Sequence, residues 1–145
     1  MHVMFVCTGN TCRSPMAEAL LRQASEGHDL TVSSAGLFAA VGSPMSGQSV
    51  VALEEAGIPA GDHYAKQLTA DMVEAADYII TMTQAHGDMI RQACPEASGK
   101  IRNYLPGQDI PDPFGGSLQS YRETLAALQR GLEDILALDN KEDEA

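Results

Sequence analysis

The sequence predicts an α/β fold: one domain built on a four-stranded parallel sheet with helices on both faces. Three observations carry this expectation. Four short segments, His2–Val6, Leu30–Ser34, Tyr78–Met82 and Lys100–Tyr104, read as strands. Segments of helical spacing lie between and after them, and strands joined through helices pair in parallel. The chain has 145 residues, which fits one domain and buries enough surface, about 70%, to need no disulfide or metal staple.

Taken in order, His2–Val6 is a short apolar run that suits a buried strand. Ser14–Glu26 follows as a helix, with Met16, Ala19, Leu20 and Ala24 on one face and Gly27 as its stop; Pro15 suits the first helical position. Leu30–Ser34 is a strand ended by Gly36, and Leu37–Gly47 a loop rich in Gly, Ser and Pro. Ser49–Ala56 is a short helix stopped by Gly57. Thr69 is placed to cap Ala70–Ala76. Tyr78–Met82 is the third strand, Gln84–Ala93 a helix ending before Pro95, and Lys100–Tyr104 the fourth strand. Leu105–Gly116 holds three prolines and three glycines and reads as a loop. The last helix starts near Ser117, with Leu118, Tyr121, Leu125, Leu128, Leu132 and Ile135 spaced by three and four. The domain is expected over residues 1–138, with the acidic "DNKEDEA" of 139–145 as a frayed, solvated tail.

Bulk charge narrows the function. A net charge of −11 argues against nucleic acid and anionic membrane as partners, because both demand a basic face. No apolar run approaches a membrane span, and the first residues lack a signal-peptide pattern. Three cysteines, an odd count, do not form a secreted disulfide framework, so a reducing cytoplasm is the expected location. His2, His28, His63 and His86 are scattered and supply no partner pair for a zinc site with Cys7 and Cys12, so no metal and no cofactor is expected.

Ligands of parallel sheets bind beyond the carboxyl ends of the strands, and two unusual loops follow strands. The first is "CTGNTCRS", Cys7–Ser14. Its backbone N–H groups can curl around one point if Gly9 and Asn10 adopt positive φ. The following helix aims its positive end at the same point. Arg13 adds a planar fork for two phosphate oxygens. Thr8, Gly9, Asn10, Thr11, Cys12 and Ser14 complete a cradle for a dianion. Cys7 opens it, where the positive field favours the thiolate, and Ser14 can donate to the sulfur. A thiolate beneath a phosphoryl group is placed for in-line attack on phosphorus. Such a thiolate is also open to peroxide, with Cys12 as the nearest thiol in sequence to trap the product. Cys94, near a helix end, reads as structural.

The second loop, "DIPDPFGGS", supplies the general acid. Asp112 sits between two prolines that restrict its backbone, and is favoured over its rival Asp109 for that reason. It can protonate the leaving atom and then activate water. Phe114 can form a pocket wall.

In this combination, Cys-x5-Arg-Ser after the first strand and Asp-Pro-aromatic about a hundred residues later, the chain resembles the low-molecular-weight protein-tyrosine-phosphatase family. The resemblance runs from "FVCTGNTCRSPMAE" through "SSAG", "HYAKQLT" and "ADYIITMT" to "DPFGGS". It implies Cys7 as nucleophile, Arg13 as phosphate clamp, Asp112 as general acid and phosphorylated proteins as substrates. It also implies that Asn10, Ser14, Ser34 and His63 brace the loop. "CTGNTCRS" with "DPFGGS" is similar to the bacterial protein-arginine-phosphatase branch. Thr11 stands where tyrosine phosphatases of this fold often carry a bulky aliphatic residue, and Gly115 where a second aromatic is common. Three rivals remain open on sequence: a tyrosine phosphatase, a thiol-dependent arsenate reductase and a non-catalytic phosphate-binding module.

Overall fold

A computed structural model describes residues 1–144, with side chains described through Leu138. Four strands, β1 (His2–Cys7), β2 (Thr31–Gly36), β3 (Tyr78–Thr81) and β4 (Ile101–Asn103), form one sheet in the order β2-β1-β3-β4. Every pairing is parallel. Helices α1 (Arg13–Ala24), α2 (Gly47–Glu55), α3 (Ala70–Ala75), α4 (Gln84–Ala93) and α5 (Leu118–Glu144) cover it. The α/β fold read from the sequence is therefore the observed one.

The period-two alternation of β1 explains the layers. Val3, Phe5 and Cys7 point into one core with Met16, Leu20, Leu53, Tyr121, Leu125 and Leu128. Met4 and Val6 point into the other, with Val73, Ile79, Ile90 and Ile101. Each fully buried side chain of this size contributes about 1.5–3 kcal/mol. The central strand is thus held on both faces, and its last residue, Cys7, is delivered to the sheet edge opposite Gly36. Strand order reverses between β1 and β3, and ligands of such sheets bind at that reversal.

Element boundaries differ from the sequence expectation where side chains outside the periodic pattern act. Helix α1 begins one residue early, at Arg13, so Pro15 occupies its third position. A proline is tolerated there because first-turn N–H groups have no helical partner. Helix α2 begins at Gly47 because the Ser46 side chain accepts the N–H of Ser49. Thr69 caps α3 as expected. Pro95–Lys100 forms a short 3-10 helix that the periodicity does not signal. Helix α5 runs through Glu144 and so includes most of the segment expected as a tail; the side chains from residue 139 and all of Ala145 lie outside the described residues.

Candidate active site

The loop from Cys7 to Arg13 joins β1 to α1. Its single left-handed residue is Asn10, at φ 58°. The sequence points to Gly9 as well, but Gly9 keeps a negative φ. Asn10 is over-determined by its contacts, which is how a non-glycine residue persists there. Its buried amide donates to Ser14 Oγ at 2.8 Å and Ser34 Oγ at 2.9 Å. The Lys66 N–H donates to Asn10 Oδ1 at 2.9 Å, and His63 Nε2–H to the Asn10 carbonyl at 2.7 Å. The Ser34 hydroxyl in turn donates to Glu18 Oε1 at 2.6 Å, and Glu18 pairs with Arg22. A network of buried polar groups thus holds the loop from below.

Cys7 is buried, with Ser14 Oγ 2.9 Å from its sulfur. Because Ser14 already accepts from Asn10, its hydroxyl proton is free for Cys7. No side chain caps the start of α1, which leaves the first-turn amides available to an anion. Arg13 is nearly buried. It donates Nη1–H to the Ile110 carbonyl at 3.1 Å and Nη2–H to Thr8 Oγ1 at 3.5 Å, and its charge partner Asp112 lies 3.6 Å away with 53% of its side chain exposed. A buried cation with one half-exposed carboxylate is under-compensated, which favours a second anion beside it.

The second loop is held by two contacts from outside it and a turn within it. Ile110 N–H donates to the Met82 carbonyl at 2.8 Å, Thr124 Oγ1–H to the Pro111 carbonyl at 3.3 Å, and Phe114 N–H to Asp112 Oδ1 at 3.0 Å. Asp109 is engaged elsewhere: it accepts the Gln84 N–H at 2.9 Å, at the start of α4. Asp112 and Phe114 meet Cys7, Thr8, Gly9, Thr11, Cys12 and Arg13 around a pocket of about 200 Å³. Asn10 and Ser14, the remaining sequence-predicted residues, lie buried beneath it. The three cysteines are free thiols. Cys12 is buried within 3.5 Å of Tyr121 Oη and 3.7 Å of Ser46 Oγ, and burial followed by this thiol contact raises the Tyr121 phenol above its ordinary pKa.

Sequence reasoning passed over Glu18, Gly36 and His86. Glu18 had a signal, a lone charge inside the apolar run "MAEALL". Gly36 has one only in space: a Cβ there would lie 2.7 Å from the Thr8 carbonyl oxygen and 3.1 Å from Asn10 N. Gly36→Ala is therefore expected to push the cradle, costing about 1–3 kcal/mol of stability and weakening inhibition by inorganic phosphate. Urea titration and a phosphate inhibition constant measure this, and wild-type values for both would refute it.

A family model described as low molecular weight phosphotyrosine protein phosphatase matches residues 2–144. The chain is 44% identical to a protein-arginine-phosphatase of Geobacillus stearothermophilus, over 83% of this chain and 84% of that one. It is 38% identical to a probable low molecular weight protein-tyrosine-phosphatase of Ralstonia solanacearum, over 90% of each. A solved mutant arginine phosphatase with a phosphorylated active-site serine superposes with a TM-score of 0.86 at 38% identity, covering 99% of this chain and 97% of that one.

Proposed function

Because this chain belongs to the low molecular weight phosphotyrosine protein phosphatase family and is a cysteine-dependent protein phosphatase, we propose that it hydrolyses phosphoarginine on proteins through a phosphocysteine intermediate. The substrate phosphoryl group sits in the loop from Cys7 to Ser14, with Arg13 gripping two of its oxygens. Cys7 Sγ attacks phosphorus in line, forming a P–S bond as the P–N bond breaks. Asp112 gives its proton to the departing guanidine nitrogen, and the product leaves as a guanidinium. Asp112, now a carboxylate, takes a proton from water as that water attacks phosphorus. The P–S bond breaks, and the Cys7 thiolate returns to the Ser14 hydroxyl 2.9 Å away.

The observation that carries the arginine preference is Thr11 on the pocket wall. A guanidinium next to phosphorus presents N–H donors, which the Thr11 hydroxyl accepts and which the carbonyl oxygen of the protonated Asp112 also accepts. Replacing that hydroxyl with a branched alkyl group removes an acceptor and adds apolar surface suited to a phenyl ring. Thr11→Ile is expected to move relative kcat/KM toward phosphotyrosine peptides by about 10–200-fold. An unchanged ratio would make Thr11 a loop-packing residue. A wild-type enzyme that prefers phosphotyrosine would favour the tyrosine-phosphatase reading instead, for which the exposed Phe114 on the same wall is the supporting feature.

An arsenate-reducing relay is disfavoured because Cys94 packs on the opposite sheet face from Cys7 and Cys12. Among the described residues no helix is long and apolar enough to cross a membrane. Free Cys7 and Cys12 suit a reducing cytoplasm, and peroxide would convert them to a disulfide that shields Cys7 from further oxidation.

A further inference from the structure

His86 is the third residue of α4 and lies against the cradle. The Thr83 hydroxyl accepts the His86 N–H at 3.1 Å, and His86 Nδ1 accepts the Thr83 N–H at 3.2 Å. This reciprocal cap requires Nδ1 to be bare, so the ring proton is on Nε2. Nε2–H then donates to Thr8 Oγ1 at 2.9 Å. Thr8 Oγ1 also accepts Arg13 Nη2–H, at 3.5 Å. Both lone pairs of this hydroxyl are therefore engaged, and its single proton is left to donate. Thr8 is exposed on the pocket wall beside Cys7 and Arg13. We propose that His86 is a positioning residue of the active site, fixing Thr8 so that its hydroxyl supports Arg13 and donates its proton to the bound phosphoryl group.

Histidine suits this task because it presents an acceptor and a donor on one rigid ring. Its protonation state follows from its surroundings. Burial, and then the Arg13 guanidinium, push the imidazole down to about 4, against the smaller opposite pull of Asp109 and Asp112. The folded protein thus disfavours protonation, and the neutral ring persists until pH falls to about 4. Below that, a proton on Nδ1 faces the Thr83 N–H, donor against donor, and pushes the ring away from the position that holds Thr8.

This inference rests on the phosphatase reading of the cradle, not on arginine preference, so the test uses p-nitrophenyl phosphate and inorganic phosphate. Wild-type turnover checks the phosphatase reading by itself. Thr8→Val and His86→Phe are each expected to lower kcat/KM and weaken phosphate inhibition by about 10-fold, the scale of one hydrogen bond to a charged group. The double variant should lose no more than Thr8→Val alone, because His86 acts on the site only through Thr8. His86→Gln, whose amide offers an acceptor and a donor at similar reach, should stay within about 3-fold of wild type. The ratio of wild-type to His86→Gln kcat/KM should fall as pH drops through about 4, since glutamine does not titrate. A double variant whose loss is the product of the singles, or a His86→Phe variant with a lower melting temperature and unchanged kinetics, overturns the proposal. Should His86→Phe not fold, a pH-independent ratio for His86→Gln overturns it equally.

Discussion

Cys7→Ser is expected to lower turnover by about 10³-fold or more while phosphate still binds within a few-fold of wild type. A serine hydroxyl is not ionised near neutral pH and needs a base to attack phosphorus. The group beside Cys7 Sγ is the Ser14 hydroxyl, which is no base, so attack by serine is slow, and a phosphoserine that does form releases its oxygen far less readily than a thiolate leaves. Phosphate affinity depends on other parts, the uncapped start of α1 and the Arg13 guanidinium, and neither is altered by exchanging sulfur for oxygen. The measurement pairs steady-state turnover of p-nitrophenyl phosphate with phosphate binding by calorimetry. Substantial residual turnover would sink the phosphocysteine route. Loss of both turnover and binding would show that the sulfur organises the loop rather than attacks.

Asp112→Asn is expected to slow the first chemical step by about 10²–10⁴-fold. Asparagine keeps the carbonyl oxygen that accepts the Phe114 N–H, so the loop should hold its shape. It carries no acid proton, so the loss should be largest for poor leaving groups and smallest for p-nitrophenol. Removing the carboxylate 3.6 Å from Arg13 also frees the guanidinium, so phosphate inhibition should tighten slightly rather than weaken. That opposite movement of binding and rate separates a lost acid from a collapsed loop. Asp109→Asn serves as the control. Asp109 accepts the Gln84 N–H at the start of α4, a bond the asparagine oxygen keeps, so this variant should spare the chemistry and most of the stability. A leaving-group-independent loss in Asp112→Asn, matched by an equal loss in Asp109→Asn, would reassign the acid.

The chain order of the strands and helices is legible in the sequence because each apolar segment matches one period and is bounded by Gly, Pro or a capping residue. Gln84–Ala93 is the clearest case: it ends before Pro95 and starts after Thr83, and the observed helix has the same limits. Ser46 and Pro95 show where periodicity is silent. A cap and a 3-10 turn depend on one side chain or one fixed φ, not on a repeating face.

That two loops would meet around one pocket was also legible, since Cys7 to Ser14 occupy one short loop after a strand and Asp112 a second loop marked by two prolines. Local chemistry within a loop is written in consecutive residues. What the sequence could not decide is which distant groups fasten those loops. Asn10 carries the strained backbone in place of Gly9 because Ser34, His63 and Lys66 reach it from 24 to 56 residues away. Asp109 is withdrawn from the pocket by a helix start 25 residues earlier, and His86 meets Thr8 across 78 residues. Hydrogen bonds of about 3 Å between groups so far apart in the chain exist only once the parallel sheet has brought the ends of β1, β2 and β3 to one edge. The residues proposed for the chemistry are therefore named by the sequence alone, and the partners that fix their conformation are set by tertiary packing.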